Sequence, residues 1–268
     1  MPDRLKDKVA LVAGAGSIGA GWGNGKATAV TFAREGAKVF CVDQNLAAAQ
    51  ETAGIITSEG GSAQAFRADV TSAADVAAMT AACRDAYGRI DVLDNNVGIA
   101  HLGGVVELAE ADWDRVLAVN LKGAFLTMKH VIPVMEAQGG GAIINISSVA
   151  AIRYTGLPYS SYYASKAALS HLTRTTAVEY AAKRIRVNAI LPGLMQTPMV
   201  ANAAGFAQAY AAGGIDEMWA ARARQVPMGI GGDGFDVAWA AVYLASEESR
   251  YVTGLELVVD GGISLKFA

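Results

Sequence analysis

A doubly wound α/β protein, built on a mostly parallel sheet with helices on both faces, is what the 268-residue chain predicts. Three observations carry that reading. Short β-rich runs alternate with helical stretches along the chain; the first run leads at once into a glycine-rich turn and a helix; and no linker interrupts the alternation.

The first strand is KVALVA, Lys8 to Ala13. The turn that follows, within VAGAGSIGAGWGNGKA (Val12 to Ala27), precedes ATAVTFAREGA, where apolar residues recur at helical spacing and Gly36 supplies a stop. A helix beginning near Ile18 would carry four glycines in its first two turns, each costing roughly 0.8–1 kcal/mol relative to Ala. The helix therefore starts near Asn24 or Gly25 with Asn24 as its cap, and Gly14 to Gly23 is an enlarged loop.

The alternation continues with a strand at Lys38 to Val42, a helix at Leu46 to Ser58, a strand at Ala63 to Arg67 and a helix at Ala73 to Tyr87. Val92 to Asn95 is the fourth strand, Ala111 to Met135 a long helix, and Ala142 to Ile146 the fifth strand. A helix from about Tyr159 to Ala182, a strand at Arg186 to Leu191, a helix near Asp236 to Leu244 and a strand at Glu256 to Val259 complete a seven-stranded sheet with right-handed crossovers. We expect one domain, residues 1–268. Met195 to Gly232 is rich in Ala, Gly and Met and lacks a strand; following a strand's C-terminal end, it is placed to act as a substrate lid.

A net charge of −3 and the lack of a long basic tract point away from nucleic acid and anionic membranes. No apolar run approaches the ~18 residues of a membrane span, and MPDRLKDK does not read as a secretory leader. The expectation is a soluble cytoplasmic protein with small-molecule partners. Cys41 and Cys83 lack the spacing of a disulfide framework or metal knuckle, and His101, His130 and His171 lie on different elements, so no metal site is expected.

A strand, a glycine-rich turn and a helix form the opening of a βαβ unit, where backbone N–H groups at the helix N-terminus receive a pyrophosphate. Asp43 closes the second strand about twenty residues beyond the turn, where a carboxylate accepts the ribose hydroxyls of an adenosine. The same charge repels a 2′-phosphate, and Gln44 and Asn45 follow it rather than Arg or Lys, so NAD is preferred over NADP. Lys26 is the nearby cation with the reach to contradict this.

Tyr162 and Lys166 stand four apart on one face of a helix. A phenol with an ordinary pKa near 10 is a poor base, but an adjacent ammonium favours the phenolate. Tyr162 is then suited to proton transfer at a secondary alcohol or ketone. Tyr163 points away around the helix and reads as packing. The strand AIINI runs out into Ser147 and Ser148, where a hydroxyl can bond the reacting oxygen. Asn120, in an apolar stretch, either satisfies a backbone group or holds a water for proton relay.

Taken in order, the glycine-rich turn, Asp43, Asp69-Val70, NNVG at Asn95 to Gly98, Asn120, Ser148, Tyr162-x-x-x-Lys166, PGLMQT at Pro192 to Thr197 and the closing VDGG at Val259 to Gly262 resemble the short-chain dehydrogenase/reductase family over nearly the whole chain. That resemblance implies a Rossmann-type fold and assigns roles. Tyr162 is the acid/base, Lys166 binds the nicotinamide ribose and lowers the phenol pKa, Ser148 orients the substrate oxygen, and Asn120 holds the relay water. Gly14, Gly23, Asn24 and Gly25 would meet the pyrophosphate, Asp69 and Val70 flank adenine, and Asn95 and Gly98 belong to a stretch that stabilises the central strand and lines the cofactor. Ile190, Pro192, Gly193 and Thr197 border the nicotinamide.

The chain departs from the family in three places. Ala13 stands for the usual Thr of T-G-x-x-x-G-x-G, and about five extra residues lie between Gly14 and Gly23; NNVG replaces the commoner NNAG; and the interval from Ser148 to Tyr162 is one residue longer, which keeps Ser147 as a second candidate for the serine. The enoyl-carrier-protein reductases also have a longer turn, but space their Tyr and Lys more widely.

The resemblance implies an NAD-dependent oxidoreductase acting on a secondary alcohol or ketone. A 3-oxoacyl thioester reductase is the enzymatic alternative, and a dinucleotide sensor or scaffold on the same fold the non-enzymatic one. Met199, Phe206, Tyr210, Met218 and Trp219 fit either an apolar or cyclic substrate or simple packing of the lid. Arg153 and Tyr154 either meet a polar substrate group or face solvent. A homotetramer built through the two long helices is the implied assembly.

Overall fold

The computed structural model describes residues 3–202 and 214–266. Seven strands form one parallel sheet in the order β3-β2-β1-β4-β5-β6-β7. They are β1 (Val9–Ala13), β2 (Lys38–Asp43), β3 (Ser62–Arg67), β4 (Val92–Asn95), β5 (Gly141–Ile146), β6 (Ile185–Pro192) and β7 (Glu256–Val259). Strand order reverses between β1 and β4, and in such sheets ligands bind at the carboxyl ends of the strands flanking that reversal.

The central strands are apolar throughout because both faces are covered. Along β1, Ala10 and Val12 enter one core layer while Val9, Leu11 and Ala13 enter the other. The first layer lies under α1 (Asn24–Arg34), α2 (Leu46–Ser58) and the helix Gly234–Ala245. The second lies under α3 (Ala73–Tyr87), α5 (Gly123–Gln138) and α6 (Ser160–Tyr180). Burying these alternating side chains on both faces, at roughly 25 cal/mol per Å² of apolar surface, is the main force holding the sheet.

Helix ends follow the local chemistry. Asn45 caps α2 by accepting from the Ala47 N–H, Ser72 caps α3 by accepting from Asp75 N–H, and Asp233 with Asp236 makes a reciprocal capping box. At α1 the expectation needs correcting: the capping position is Gly23, with no side-chain bond, and Asn24 is already the first helical residue. The first N–H groups of α1 are thus left without a side-chain acceptor.

The expected long helix from Ala111 is interrupted. It runs as α4 (Glu110–Leu117), a π-turn at Ala118–Lys122 and then α5, and the π-turn contains Asn120. Cys41 and Cys83 are buried free thiols, each pushed up to about 12 by burial. Among the described residues, Met195 to Gly232 has no strand, only helices Pro198–Ala201 and Ile215–Gln225. Its two ends are pinned to each other, the Gln196 N–H donating to the Gly232 carbonyl at 2.7 Å. Phe206 and Tyr210 lie outside the described residues.

Candidate active site

A cavity of about 640 Å³ opens at the reversal between β1 and β4. It is lined by the glycine turn, represented by Gly14, Gly16, Gly23, Asn24 and Gly25, by Asp43, Asp69 and Val70, and by Gly98 and Thr197. Two glycines explain how the turn comes so close to the sheet. Gly14 has φ +83°, and a Cβ there would sit 2.9 Å from the Val97 nitrogen, while a Cβ on Gly25 would fall 1.9 Å from the Gly14 carbonyl oxygen. With no acidic residue in its first turn and no side chain capping it, α1 presents free N–H groups to this cavity. That is a cradle for a pyrophosphate, and the residues present fit a dinucleotide.

Asp43 is anchored rather than spent. Its Oδ2 accepts from the Gly16 N–H at 3.1 Å and its Oδ1 from the Asn45 N–H at 2.9 Å, which leaves lone pairs on both oxygens for ribose hydroxyls. Lys26 already has a carboxylate partner. It is buried, its Nζ is 2.5 Å from a Glu51 carboxylate oxygen, and it lies 5.2 Å from the centre of the Trp22 ring. Asp69 uses one oxygen on the Thr71 N–H and hydroxyl.

The second constellation stands where β5 gives way to α6. Lys166 is buried and donates to the Ile146 carbonyl at 2.7 Å. Its Nζ is 5.7 Å from the centre of the Tyr162 ring, and the Ser148 hydroxyl neighbours the Tyr162 side chain closely enough to lower its pKa. Gly98 joins the constellation to the cavity: it lines that cavity, and a Cβ on it would lie 3.2 Å from Lys166 Nζ and 3.7 Å from Asn120 Oδ1.

Ser147 and Ser148 are separated by their partners. The Ser147 hydroxyl donates to the Lys166 carbonyl at 3.0 Å and pairs with Ser170, which ties it into α6. Ser148 starts a short turn, accepting from the Ala150 N–H at 3.1 Å, and is the serine that meets the tyrosine. Tyr163 accepts from the Thr155 N–H and donates to the Leu157 carbonyl, with its ring stacked on Tyr159 at 4.6 Å, so it packs as expected.

Asn120 satisfies a backbone segment from both sides. It accepts from the Ile99 N–H at 2.8 Å and donates to the Ile99 carbonyl at 2.9 Å, fixing the loop after Gly98. The π-turn that carries it is a local distortion of a kind found frequently at functional sites. Asn95 does not line the cavity. Its amide is held between Asn145 and Thr127, bonding β4 to β5 and α5, which is the strand-stabilising half of its expected role. Pro192 and Gly193 close β6, with the Gly193 N–H on the Val259 carbonyl, and Ile190 is fully in the core.

The electrostatics correct one expectation. Burial pushes the Tyr162 hydroxyl above its ordinary value, and the neighbouring Ser148 hydroxyl pulls it back, with no lowering by Lys166 beside these two. Lys166 is itself pushed down to about 8 by burial. Asp94, in the sequence text VLDN, escaped the sequence reading altogether. Fully buried on β4 between Val12 and Ile144, it accepts a hydrogen bond from the Asn96 amide and is pushed up to about 7 by burial. An acidic letter inside an apolar strand was the available signal.

Met218 and Val200 pack with Ala150, Leu157 and Tyr159, and Trp219 and Tyr162 border that cluster, whereas Met199 lines the large cavity. Arg153 donates to the Ser264 carbonyl at 2.8 Å and, with Tyr154, borders a separate cavity of about 280 Å³.

The fold and this arrangement define a nicotinamide-dinucleotide oxidoreductase scaffold, and comparison with known proteins agrees. The family described as enoyl-(acyl carrier protein) reductase matches residues 19–264. The 2,5-dichloro-2,5-cyclohexadiene-1,4-diol dehydrogenase LinX of Sphingobium indicum is 39% identical over 99% of both chains. The 3-oxoacyl-[acyl-carrier-protein] reductase FabG of Thermotoga maritima is 38% identical, over 97% of this chain and 99% of its own. A crystal structure from Burkholderia xenovorans, ascribed to the short-chain dehydrogenases/reductases, superposes with a TM-score of 0.92 at 48% identity, covering 99% of this chain and 100% of its own. The chain belongs to the short-chain dehydrogenase/reductase family, whose members bind a nicotinamide dinucleotide.

Proposed function

We propose that the protein is an NAD-dependent oxidoreductase that interconverts a secondary alcohol and its ketone. The observation that carries this reading is the Ser148–Tyr162 pair held beside buried Lys166, with Gly98, which lines the dinucleotide cavity, next to Lys166 and Asn120. Bound in that cavity, the nicotinamide supplies the hydride acceptor or donor.

The residues of the chain handle the proton and the oxygen. In oxidation, the carbinol hydrogen leaves as hydride and the hydroxyl proton passes to the Tyr162 oxygen, while the Ser148 hydroxyl orients the substrate oxygen. Reduction reverses the movement, Tyr162 donating its proton to the developing alkoxide. A phenol raised by burial is a natural donor; the positive charge of an oxidised nicotinamide beside it favours the phenolate that oxidation requires. Lys166, held by Ile146, would bind the ribose of that nucleotide, and Asn120, which fixes the adjoining loop, would hold the relay water.

The preference for NAD is supported by Asp43 in the cavity and by the pairing of Lys26 with Glu51. A cyclic or apolar alcohol is the favoured substrate, supported by similarity to the cyclohexadienediol dehydrogenase and by Met199 in the cavity lining. The nearly equal identity to FabG keeps a 3-oxoacyl thioester in the test, and the four-residue Tyr–Lys interval speaks for carbonyl rather than enoyl chemistry. A homotetramer working in the cytoplasm completes the reading; exposed Phe125 on α5 and Val178 on α6 support assembly through those helices.

The test is a panel of secondary alcohols, cyclic diols and sugar alcohols with NAD or NADP, alongside a 3-oxoacyl thioester with NADPH. NAD reduction by a member of the alcohol panel is the expected result. Turnover confined to the thioester with NADPH overturns it, and NAD binding without turnover of any substrate leaves a sensor.

A further inference from the structure

Arg153 and the second cavity take no part in the chemistry above, yet they adjoin it. Ser148 opens a short helical turn, Val149–Ala151, and the Arg153 N–H returns to the Val149 carbonyl at 2.9 Å. Arg153 thus stands about one turn beyond the serine that neighbours Tyr162, roughly 8–10 Å along the chain at the rise of such turns. Its guanidinium is aimed by a bond from Nε to the Ser264 carbonyl at 2.8 Å, and Ser264 is fixed in turn by its N–H on the Asp260 carboxylate. The two Nη groups meet no acceptor among the described residues.

The cavity of about 280 Å³ lies between these pieces. Val149, Leu194 and Ile263 give it apolar walls, and Arg153, Gln225 and Lys266 give it polar groups. Val149 directly follows Ser148, and Leu194 directly follows Gly193 at the end of β6, so the cavity joins the reacting corner through the chain itself. No Asp or Glu lines it. Asp260, beneath its floor, has one oxygen on the Gly262 N–H and the other on the Ser264 N–H. Two cations around one small cavity, with no carboxylate between them, favour an anion there. With Nε engaged, the paired Nη groups of an arginine are the fork that matches a planar carboxylate.

We propose that this cavity receives a carboxylate at the far end of the substrate, held by the Arg153 Nη groups and the Lys266 ammonium, while the carbinol lies at Tyr162 and Ser148. This rests on the oxidoreductase reading above and narrows its substrate to a hydroxy acid with an apolar body. Allowing for the reach of both side chains, a hydroxyl and a carboxylate on opposite carbons of a six-membered ring fit the interval between Ser148 and Arg153.

The experiment compares NAD reduction with 4-hydroxycyclohexanecarboxylate and with its carboxamide, which keeps the shape and removes the charge. The acid is expected to show a kcat/KM about tenfold or more above that of the amide, an advantage that shrinks as salt is raised. Arg153→Gln should bring the acid down towards the amide, chiefly through KM. Lys266→Gln, at a side chain that bonds nothing else among the described residues, should give a smaller loss of the same kind. No preference for the acid in the wild-type chain, or a fall in Arg153→Gln that is equal for acid and amide, overturns the carboxylate site; turnover of a neutral alcohol such as cyclohexanol then leaves the oxidoreductase reading standing. A wild-type chain that reduces NAD with no alcohol overturns both.

Discussion

Two corners of the molecule share one connection, a strand running out at the open edge and returning as a helix, and they solve it with opposite materials. Between β1 and α1 the chain removes side chains: Gly14 and Gly25 leave their backbones close enough for a Cβ to collide, and α1 starts without a cap. Between β5 and α6 it packs polar side chains into the interior: Ser147, Ser148 and Lys166 are buried and bonded to one another's elements. Binding an anion asks for backbone N–H groups and room, whereas moving a proton asks for individual groups held at fixed positions. A lesion in the first corner should therefore appear in cofactor affinity, and one in the second in the rate of chemistry.

The largest separation of the two should come from Tyr162→Phe. Loss of the hydroxyl is expected to lower kcat by about a hundredfold or more while NADH binding, measured by fluorescence titration, stays near wild type; retention of more than about a tenth of the rate would take Tyr162 out of the proton path. Gly25→Ala is the counterpart at the other corner. Its methyl would fall 1.9 Å from the Gly14 oxygen, so NADH affinity should drop by roughly tenfold or more, visible in the same titration.

Asp43→Ala sharpens the comparison within the cofactor cavity. The ratio of kcat/KM for NAD over NADP should fall by about tenfold, chiefly through poorer use of NAD; an unchanged ratio would remove Asp43 from the ribose. Ser147→Ala should change kcat by less than about threefold, whereas Ser148→Ala should lower it far more, since only Ser148 meets the tyrosine.

Asp94 tests the neutral ground between the corners. Its carboxyl is raised to about 7 in the folded chain, so between the unfolded value and that point the native state binds more protons than the unfolded one. Its contribution is most favourable in acid and is lost as pH rises through about 7. Asp94→Asn should consequently raise the melting temperature relative to wild type most at pH 8, by roughly a third as much at pH 5 and least below pH 4, with ~4 kcal/mol as the ceiling on the gain. Equal effects across this range would mean that the carboxyl is not held neutral by its surroundings.

The seven strands, α2 and α3 were legible almost to the residue because apolar runs, asparagine and serine caps, and glycine stops are local facts. Tyr162, Lys166 and Ser148 were legible because their spacing along a helix and beyond a strand survives translation into space. Other features depend on neighbours distant in sequence. No local pattern says that Lys26 is claimed by Glu51, that Ser147 is claimed by Ser170, or that a π-turn breaks the helix at Asn120. Burial outweighing the serine at Tyr162 is likewise a balance between desolvation and geometry that spacing alone cannot report.

The joint between Gln196 and Gly232 has one more implication. Because the stretch between them leaves and re-enters the body of the protein at a single point, its length and sequence can change while the ends stay stitched, and flexible loops lengthen at small entropic cost. Exchanging that stretch for its counterpart in a relative should redirect what is oxidised or reduced and leave the sheet and the glycine turn in place, with Thr197 and Met199 kept because they line the dinucleotide cavity. New specificities are then most easily reached by grafting one cassette rather than by redesigning the sheet.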